Sequence, residues 1–181
     1  RDFWLTDERL QHRPLWSLSL PGTHHAPFYD LTANWVAADP LTERHVERWT
    51  RTQSRSVARQ LRDGIRWLDV RVHYDPDTEA KLWGHHELAR GASLVEVFSA
   101  IAEFLDEAAE QSGAELLLVK LSHFDGFDDG TGAAADALQQ LLEAHVGEYA
   151  LSLPARQPAE LLDRSLASFD GPRVGLLYDG L

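Results

Sequence analysis

Leu116-Leu117-Leu118-Val119-Lys120-Leu121 is an almost unbroken apolar run. A run this short and this apolar is the pattern of a strand buried on both faces. Such a strand requires a covering layer on each side. The segment before it supplies one: Ser93 and Glu96 form a capping box, and Leu94, Val97, Phe98, Ile101, Phe104 and Leu105 share one face of the helix that it opens. A second helix is predicted at about 133–146, a short one at about 158–164, and a strand at Arg173 to Tyr178. Strands alternating with helices point to a parallel α/β sheet or barrel.

Upstream, Leu15 to Leu20 reads as a strand that stops at Pro21-Gly22, and 27–52 as a long loop with a short helix. Ser54 to Asp63 has Val57 and Leu61 four apart and ends at Gly64, which predicts a helix with a glycine stop. Ile65 to Val72 and Lys81 to His85 follow as strands. That makes five strands, whereas a closed (β/α) barrel has eight and about 250 residues. The expectation is therefore one domain over 1–181, a TIM-type barrel incomplete in this chain, with its C-terminal part missing.

Three polar groups fall at or just beyond the ends of strands: Gly22-Thr23-His24-His25, Asp69-Val70-Arg71 and Gly84-His85-His86. Binding and catalytic groups gather at this end of the strands in α/β folds. Asp69 and Arg71 share one face of an otherwise apolar strand, where two charges are costly unless paired or used. They would either pair with each other or a neighbour, or Arg71 would offer a planar cation to phosphate oxygens while Asp69 orients a neighbour. Two histidines flanking a phosphoryl centre can remove and supply protons near neutral pH, so a diester could be cleaved without a metal.

A metal cluster of His24, His25, His85, His86 and Asp69 is the competing reading. Adjacent residues of an extended chain face opposite ways, so each histidine pair would supply one inward ligand. With one inward carboxylate, the set is poor for calcium or magnesium, and zinc is the remaining option.

The net charge of −12 argues against a nucleic-acid partner and against tight adhesion to anionic membranes. Zero cysteines exclude thiolate chemistry. No apolar run approaches the roughly 18–20 residues that span a bilayer.

Together these motifs resemble the phosphatidylinositol-specific phospholipase C X domain. Ser19-Leu20-Pro21-Gly22-Thr23-His24 is similar to its opening motif, and Thr52-Gln53-Ser54 with Gln60 to Arg71 to its second block. Gly84-His85-His86 with Leu94 to Val97 resembles the third, and Glu115 to Phe124 the strand that follows. The resemblance implies a phosphoric diester hydrolase or lyase acting on phosphatidylinositol or a related inositol diester through a cyclic phosphate.

In that scheme His24 is the base that deprotonates the inositol 2-hydroxyl, and His86 the acid that protonates the departing diacylglycerol oxygen. Arg71 stabilises the phosphoryl oxygens and Asp69 supports the site. Arg71 is similar to the metal-independent bacterial type, so no cofactor is expected. Lys120 and Ser122, on one face of the next strand, and His25 are the expected contacts to the head group. His25 departs from the Asp or Asn that is usual in the family, and Glu87 from the usual Gly.

The expected partner is a phospholipid head group or small phosphodiester, reached by a monomer that is secreted or peripheral to a membrane, with Trp35 or Trp49 as candidate interfacial anchors. The alternatives are a metal-dependent glycerophosphodiesterase or sphingomyelinase D-like barrel, and a barrel that binds a phosphorylated ligand without turnover.

Overall fold

The computed structural model describes residues 3–31, 33–34, 40–87, 89–111, 114–128, 130–151 and 162–180. Trp35 and most of the helix expected at about 158–164 lie outside them. In chain order the elements are α1 (Glu8–Gln11), β1 (Gly22–Thr23), β2 (Ala33–Asn34), α2 (Pro40–Thr50), α3 (Val57–Arg62), β3 (Trp67–Tyr74), β4 (Leu82–His86), β5 (Ala89–Ser93), α4 (Leu94–Glu110), β6 (Leu116–Asp125), α5 (Ala133–Val146) and β7 (Arg173–Asp179).

The strands form one sheet in the order β2-β5-β4-β3-β6-β7, with β1 also on β3. Its parallel half is β1, β3, β6 and β7, with Leu68 opposite Val119 and Val119 opposite Leu176. The other half is antiparallel: β4 folds back on β3, β5 on β4, and β2 on β5. The fold is a partial TIM-type (β/α) barrel, with a mixed rather than wholly parallel sheet.

Burial along β3 alternates as the two-residue period requires. Leu68, Val70 and Val72 are buried beneath the helices, while Trp67, Asp69, Arg71 and His73 face the other way. The predicted face of α4 is fully realised: Leu94, Val97, Phe98, Ile101, Phe104 and Leu105 are all buried, and the Ser93 side chain accepts from the Glu96 N–H. This helix packs on α3 and α5 and closes the main core.

The strand expected at Leu15 to Leu20 does not form. Leu15–Ser17 is a 3-10 turn, preceded by an isolated bridge from Pro14 to Ser165, and the first strand begins at Gly22. Leu15, Leu18 and Leu20 join Leu5, Leu116, Leu166 and Phe169 in a second apolar cluster. The apolar run therefore reflects side chains packed in that cluster, and an apolar run without alternation cannot distinguish that from a strand. Conversely, Ala89-Arg90-Gly91-Ala92-Ser93 lacks a strand signature and becomes β5 because β4 offers it an edge.

At the base of the two central parallel strands, Arg66 Nε donates to Glu115 Oε2 at 2.7 Å, with both side chains fully buried. The same guanidinium donates to the Leu61 and Ile65 carbonyls at 2.9 and 2.8 Å and lies over the Phe104 ring at 4.6 Å. Removing one partner strands a buried charge. Glu115→Gln is expected to lower unfolding free energy by about 3–5 kcal/mol, the usual range for a broken buried pair. Urea denaturation checks this, and a loss below about 1 kcal/mol would mean that the pair holds little together.

Candidate active site

The edge of β3 is shared by two neighbours. β1 holds it at Trp67–Leu68 and β4 at Val72–Tyr74, so Asp69 to Arg71 lies between them. The chain leaving β1 turns into this gap: the Ala26 N–H donates to the Asp69 carbonyl at 2.8 Å. Ligand sites in α/β sheets form at such changes of strand neighbour. The turn is tight, and β4 crosses it so closely that a Cβ on Gly84 would lie 2.5 Å from Pro27 Cβ.

A cleft of about 460 Å³ opens here, lined by Thr23, His24, Trp67, Asp69, Arg71, Lys120 and His123. His24 Nδ1 lies 2.8 Å from Asp69 Oδ2, with the imidazole otherwise two-thirds exposed. A carboxylate in this position fixes the orientation of the ring. Register places Lys120 level with Asp69, and Lys120 Nζ pairs with Asp179 Oδ2 at 2.7 Å. Among the described residues, Arg71 Nε is buried with no hydrogen-bond partner. Its guanidinium is thus a donor fork set beside the cleft, of the kind that recognises planar oxyanions.

His25 does not line the cleft. Its φ of 47° is left-handed rather than extended, and its side chain turns under His24, where it is 2% exposed. The two rings stack at 3.8 Å between centroids, and His25 meets the His86 ring at 4.3 Å. The rule that neighbours on an extended chain face opposite ways fails here, because the backbone is not extended. Burial, then the charges of Arg71, His86 and His24, push the His25 imidazole down to about 3, so it stays neutral at ordinary pH.

His86, at the end of β4, is half-buried against His25 and the edge of Phe28. Burial lowers its pKa, opposed by a hydrogen bond to the main chain at Thr50 and reinforced by Arg71. His85 turns instead toward a neighbouring group, in which His73 Nδ1 meets Asp125 Oδ2 at 2.6 Å and His85 Nε2 lies 3.9 Å from the same oxygen. Ser122 is level with Arg71 but 1% exposed and outside the cleft lining, with His123 Nδ1 3.1 Å from its hydroxyl. The structure therefore gathers His24, Asp69, Arg71 and Lys120 around one space, with His25 buried against His24 and the half-buried His86 ring against His25.

Several supporting residues carried no signal as single positions. The Gln60 amide donates to the Ala26 and Arg55 carbonyls at 3.0 and 2.8 Å, and its oxygen accepts from the Thr23 hydroxyl at 2.8 Å. Gln53 Nε2 donates to the His24 carbonyl at 2.7 Å, and the Thr52 hydroxyl to that of His25 at 3.1 Å. These side chains replace the strand partner that the His24–Ala26 turn lacks. A second cleft of about 370 Å³, between α5 and β7, is lined by Leu138, Leu142 and Leu176 and has no histidine or arginine in its lining.

With one carboxylate in the cleft lining, the described residues do not make an oxygen-rich calcium or magnesium site. What they do make is a cleft at the switch point of a partial (β/α) barrel, where an imidazole–carboxylate pair lies beside a guanidinium. In sequence, the chain is similar to proteins built on the phosphatidylinositol-specific phospholipase C X domain. It is 34% identical over 82 residues to a "Variant-surface-glycoprotein phospholipase C" of Trypanosoma brucei brucei, covering 45% of this chain and 22% of that one. It is 29% identical over 112 residues to a "1-phosphatidylinositol phosphodiesterase" of Listeria monocytogenes, covering 62% and 31%. It is 26% identical over 131 residues to "PI-PLC X domain-containing protein 1" of Danio rerio, covering 64% and 41%.

Among solved structures, the phosphatidylinositol-specific phospholipase C of Listeria monocytogenes superposes with a TM-score of 0.70 at 23% identity, covering 99% of this chain and 57% of that one. A Staphylococcus aureus phosphatidylinositol-specific phospholipase C gives 0.64 at 15%, covering 98% and 52%. No protein-family model matches the chain. The chain spans less than half the length of these sequence relatives and little more than half that of the solved enzymes.

The Gln60 amide supports the His24–Ala26 turn from beneath. Gln60→Leu keeps the volume but leaves the Ala26 and Arg55 carbonyls and the Thr23 hydroxyl without this partner, a loss of about 1–3 kcal/mol in stability. Urea unfolding of the variant checks it, and wild-type stability would show that the turn holds without this side chain.

Proposed function

We propose that this protein cleaves the phosphodiester of phosphatidylinositol or a closely related inositol lipid, by intramolecular attack of the inositol 2-hydroxyl on phosphorus. The observation that carries this reading is the His24–Asp69 contact of 2.8 Å opening on the same cleft as Arg71. His24 removes the 2-hydroxyl proton, and the imidazolium that results is held by Asp69. The new bond from O2 to phosphorus displaces the glycerol oxygen, to which His86 gives its proton, leaving a cyclic inositol phosphate. Arg71 faces the non-bridging oxygens, where negative charge gathers in the transition state. Lys120 adds positive charge on the adjoining strand.

The lipid is presented by a membrane surface. Trp49 on α2 is 80% exposed, and an indole held this far into solvent suits the interfacial zone of a bilayer. Among the described residues, no helix is long and apolar enough to cross a membrane.

Phosphatidylinositol in mixed micelles is expected to yield cyclic inositol phosphate at a rate unchanged by excess EDTA. His24→Ala and His86→Ala should each lower kcat by at least about a hundredfold, the scale of a lost general acid or base. Near-normal turnover by either variant would overturn the assignment, and loss of activity in EDTA would replace the mechanism with a metal-assisted one.

The pH profile gives an independent check. His86 acts as an acid only when protonated, and its pKa is lowered in the free protein. The alkaline limb of kcat/KM should therefore fall as pH rises through a midpoint below the ordinary imidazole value of 6.5. A midpoint above that value would remove His86 from this role.

A further inference from the structure

We infer that His24, His25 and Asp69 form a binding site for one zinc-type divalent transition-metal ion, and that occupancy of this site blocks the reaction proposed above. One ligand atom from each residue, two imidazole nitrogens and a carboxylate oxygen, lies within 4.8 Å of the others. The left-handed backbone at His25 creates the set by turning both rings of a consecutive pair to the same side. In an extended chain one of them would point away.

The second observation is the state of His25 itself. Its side chain is 98% buried by its 2% residual exposure, and among the described residues neither ring nitrogen has a hydrogen-bond partner. Burying a polar group without a partner costs about 1–3 kcal/mol. A metal ion that accepts the lone pair of the unprotonated ring nitrogen removes the part of that cost due to this atom.

Ligand chemistry selects the ion. Two imidazoles and one carboxylate suit zinc or cobalt, while calcium and magnesium require more oxygens than this cluster presents. Tetrahedral zinc takes bonds of about 2.0–2.2 Å, which set its ligand atoms roughly 3.4 Å apart, so the 2.8 Å His24–Asp69 pair must open slightly while any wider separation in the set, at most 4.8 Å, closes. The exposed His24 ring can make most of that movement, while the buried His25 ring is fixed by its packing. The Arg71 charge acts on His25, so it opposes a cation and limits affinity. Asp69, already 2.8 Å from His24 Nδ1, supplies the negative charge that offsets it.

The blocking effect rests on the proposed function, because a metal on His24 and Asp69 occupies the pair assigned as base and its orienting carboxylate. Binding itself does not rest on it. Titration of the chelator-stripped protein with zinc chloride in a calorimeter, and with cobalt(II) followed by its visible absorption, is expected to give one saturable site per chain. His25→Asn, a residue that tolerates the left-handed backbone, and Asp69→Asn should each weaken it at least about tenfold, the low end for disturbing a metal's surroundings. His85→Asn, in the neighbouring His73–Asp125 group, should leave binding unchanged. Far-UV circular dichroism verifies that each variant is folded.

Absence of a saturable site, or equal binding by the wild type, His25→Asn and Asp69→Asn, would overturn the inference, as would loss of binding in His85→Asn alone. If metal binds as described and phosphatidylinositol turnover proceeds undiminished with the site filled, the blocking effect is refuted. If metal binds and the metal-free protein has no turnover, the site stands and the proposed function fails.

Discussion

The rest of the structure depends on the Arg66–Glu115 pair. Arg66 immediately precedes β3 and Glu115 precedes β6, so the 2.7 Å contact sets where the two central parallel strands start relative to each other. The main chain follows the same alignment: the Leu118 N–H donates to the Arg66 carbonyl and the Arg173 N–H to the Glu115 carbonyl, which carries the register on to β7. The guanidinium also collects the Leu61 carbonyl in the last turn of α3, where a cation complements the helix dipole, and the Ile65 carbonyl just beyond it. A buried pair is a poor source of net stability compared with apolar packing. Its consequence here is geometric. A one-residue slip between β3 and β6 would exchange the faces of their side chains, and Asp69 and Lys120 would no longer be level.

What the register delivers at the other end is a strand with a divided edge. β1 leaves β3 after two residues and β4 joins only at Val72, so the intervening backbone is met by a turn instead of a strand. That turn depends on the side chains of Gln60, Gln53 and Thr52, and it contains the left-handed His25. Glu87, beside His86, and His123, on the cleft wall, also have positive φ, at 45° and 52°. Non-glycine residues held in this region cost about 1–3 kcal/mol each, and they persist where the surroundings over-determine them. In this chain three of them ring the candidate site, which is where such strain concentrates.

Much of the frame was legible in the sequence because local signals and tertiary packing agree there. The capping box at Ser93, the apolar face of α4 and the run at Leu116 each predict an element whose burial follows from its own pattern. The strand assigned to Leu15–Leu20 and the missed β5 show the limit, since each depends on what lies alongside rather than on periodicity. β6 continues past the predicted Leu121 to Asp125 because His73 offers a partner there, across an irregularity in register. The candidate site follows the same division. His24, Asp69, Arg71 and Lys120 were placed by strand alternation and motif, but the fate of His25 required its backbone angle. Gln60 is the further case: as a polar residue in a helix it reads as solvated, and only its three partners reveal a buried support.

The residue at position 25 also bears on how an acidic protein can hold an anion. An Asp there would add a negative charge beside Arg71, whereas the neutral imidazole of His25 adds none. Arg71 and Lys120 then face Asp69 and Asp179, so local charge is balanced although the whole chain carries −12. Charges beyond the screening length of about 8 Å at physiological salt contribute little within the cleft. An incoming phosphate is therefore governed by the nearby guanidinium and ammonium rather than by the net charge, and an uncharged His25 leaves Arg71 more available to it. The same neutrality leaves two imidazole ligands beside one carboxylate. A carboxylate at that position would add an oxygen ligand and a negative charge, whereas the imidazole adds a nitrogen ligand of the kind transition metals prefer and no charge against an anion.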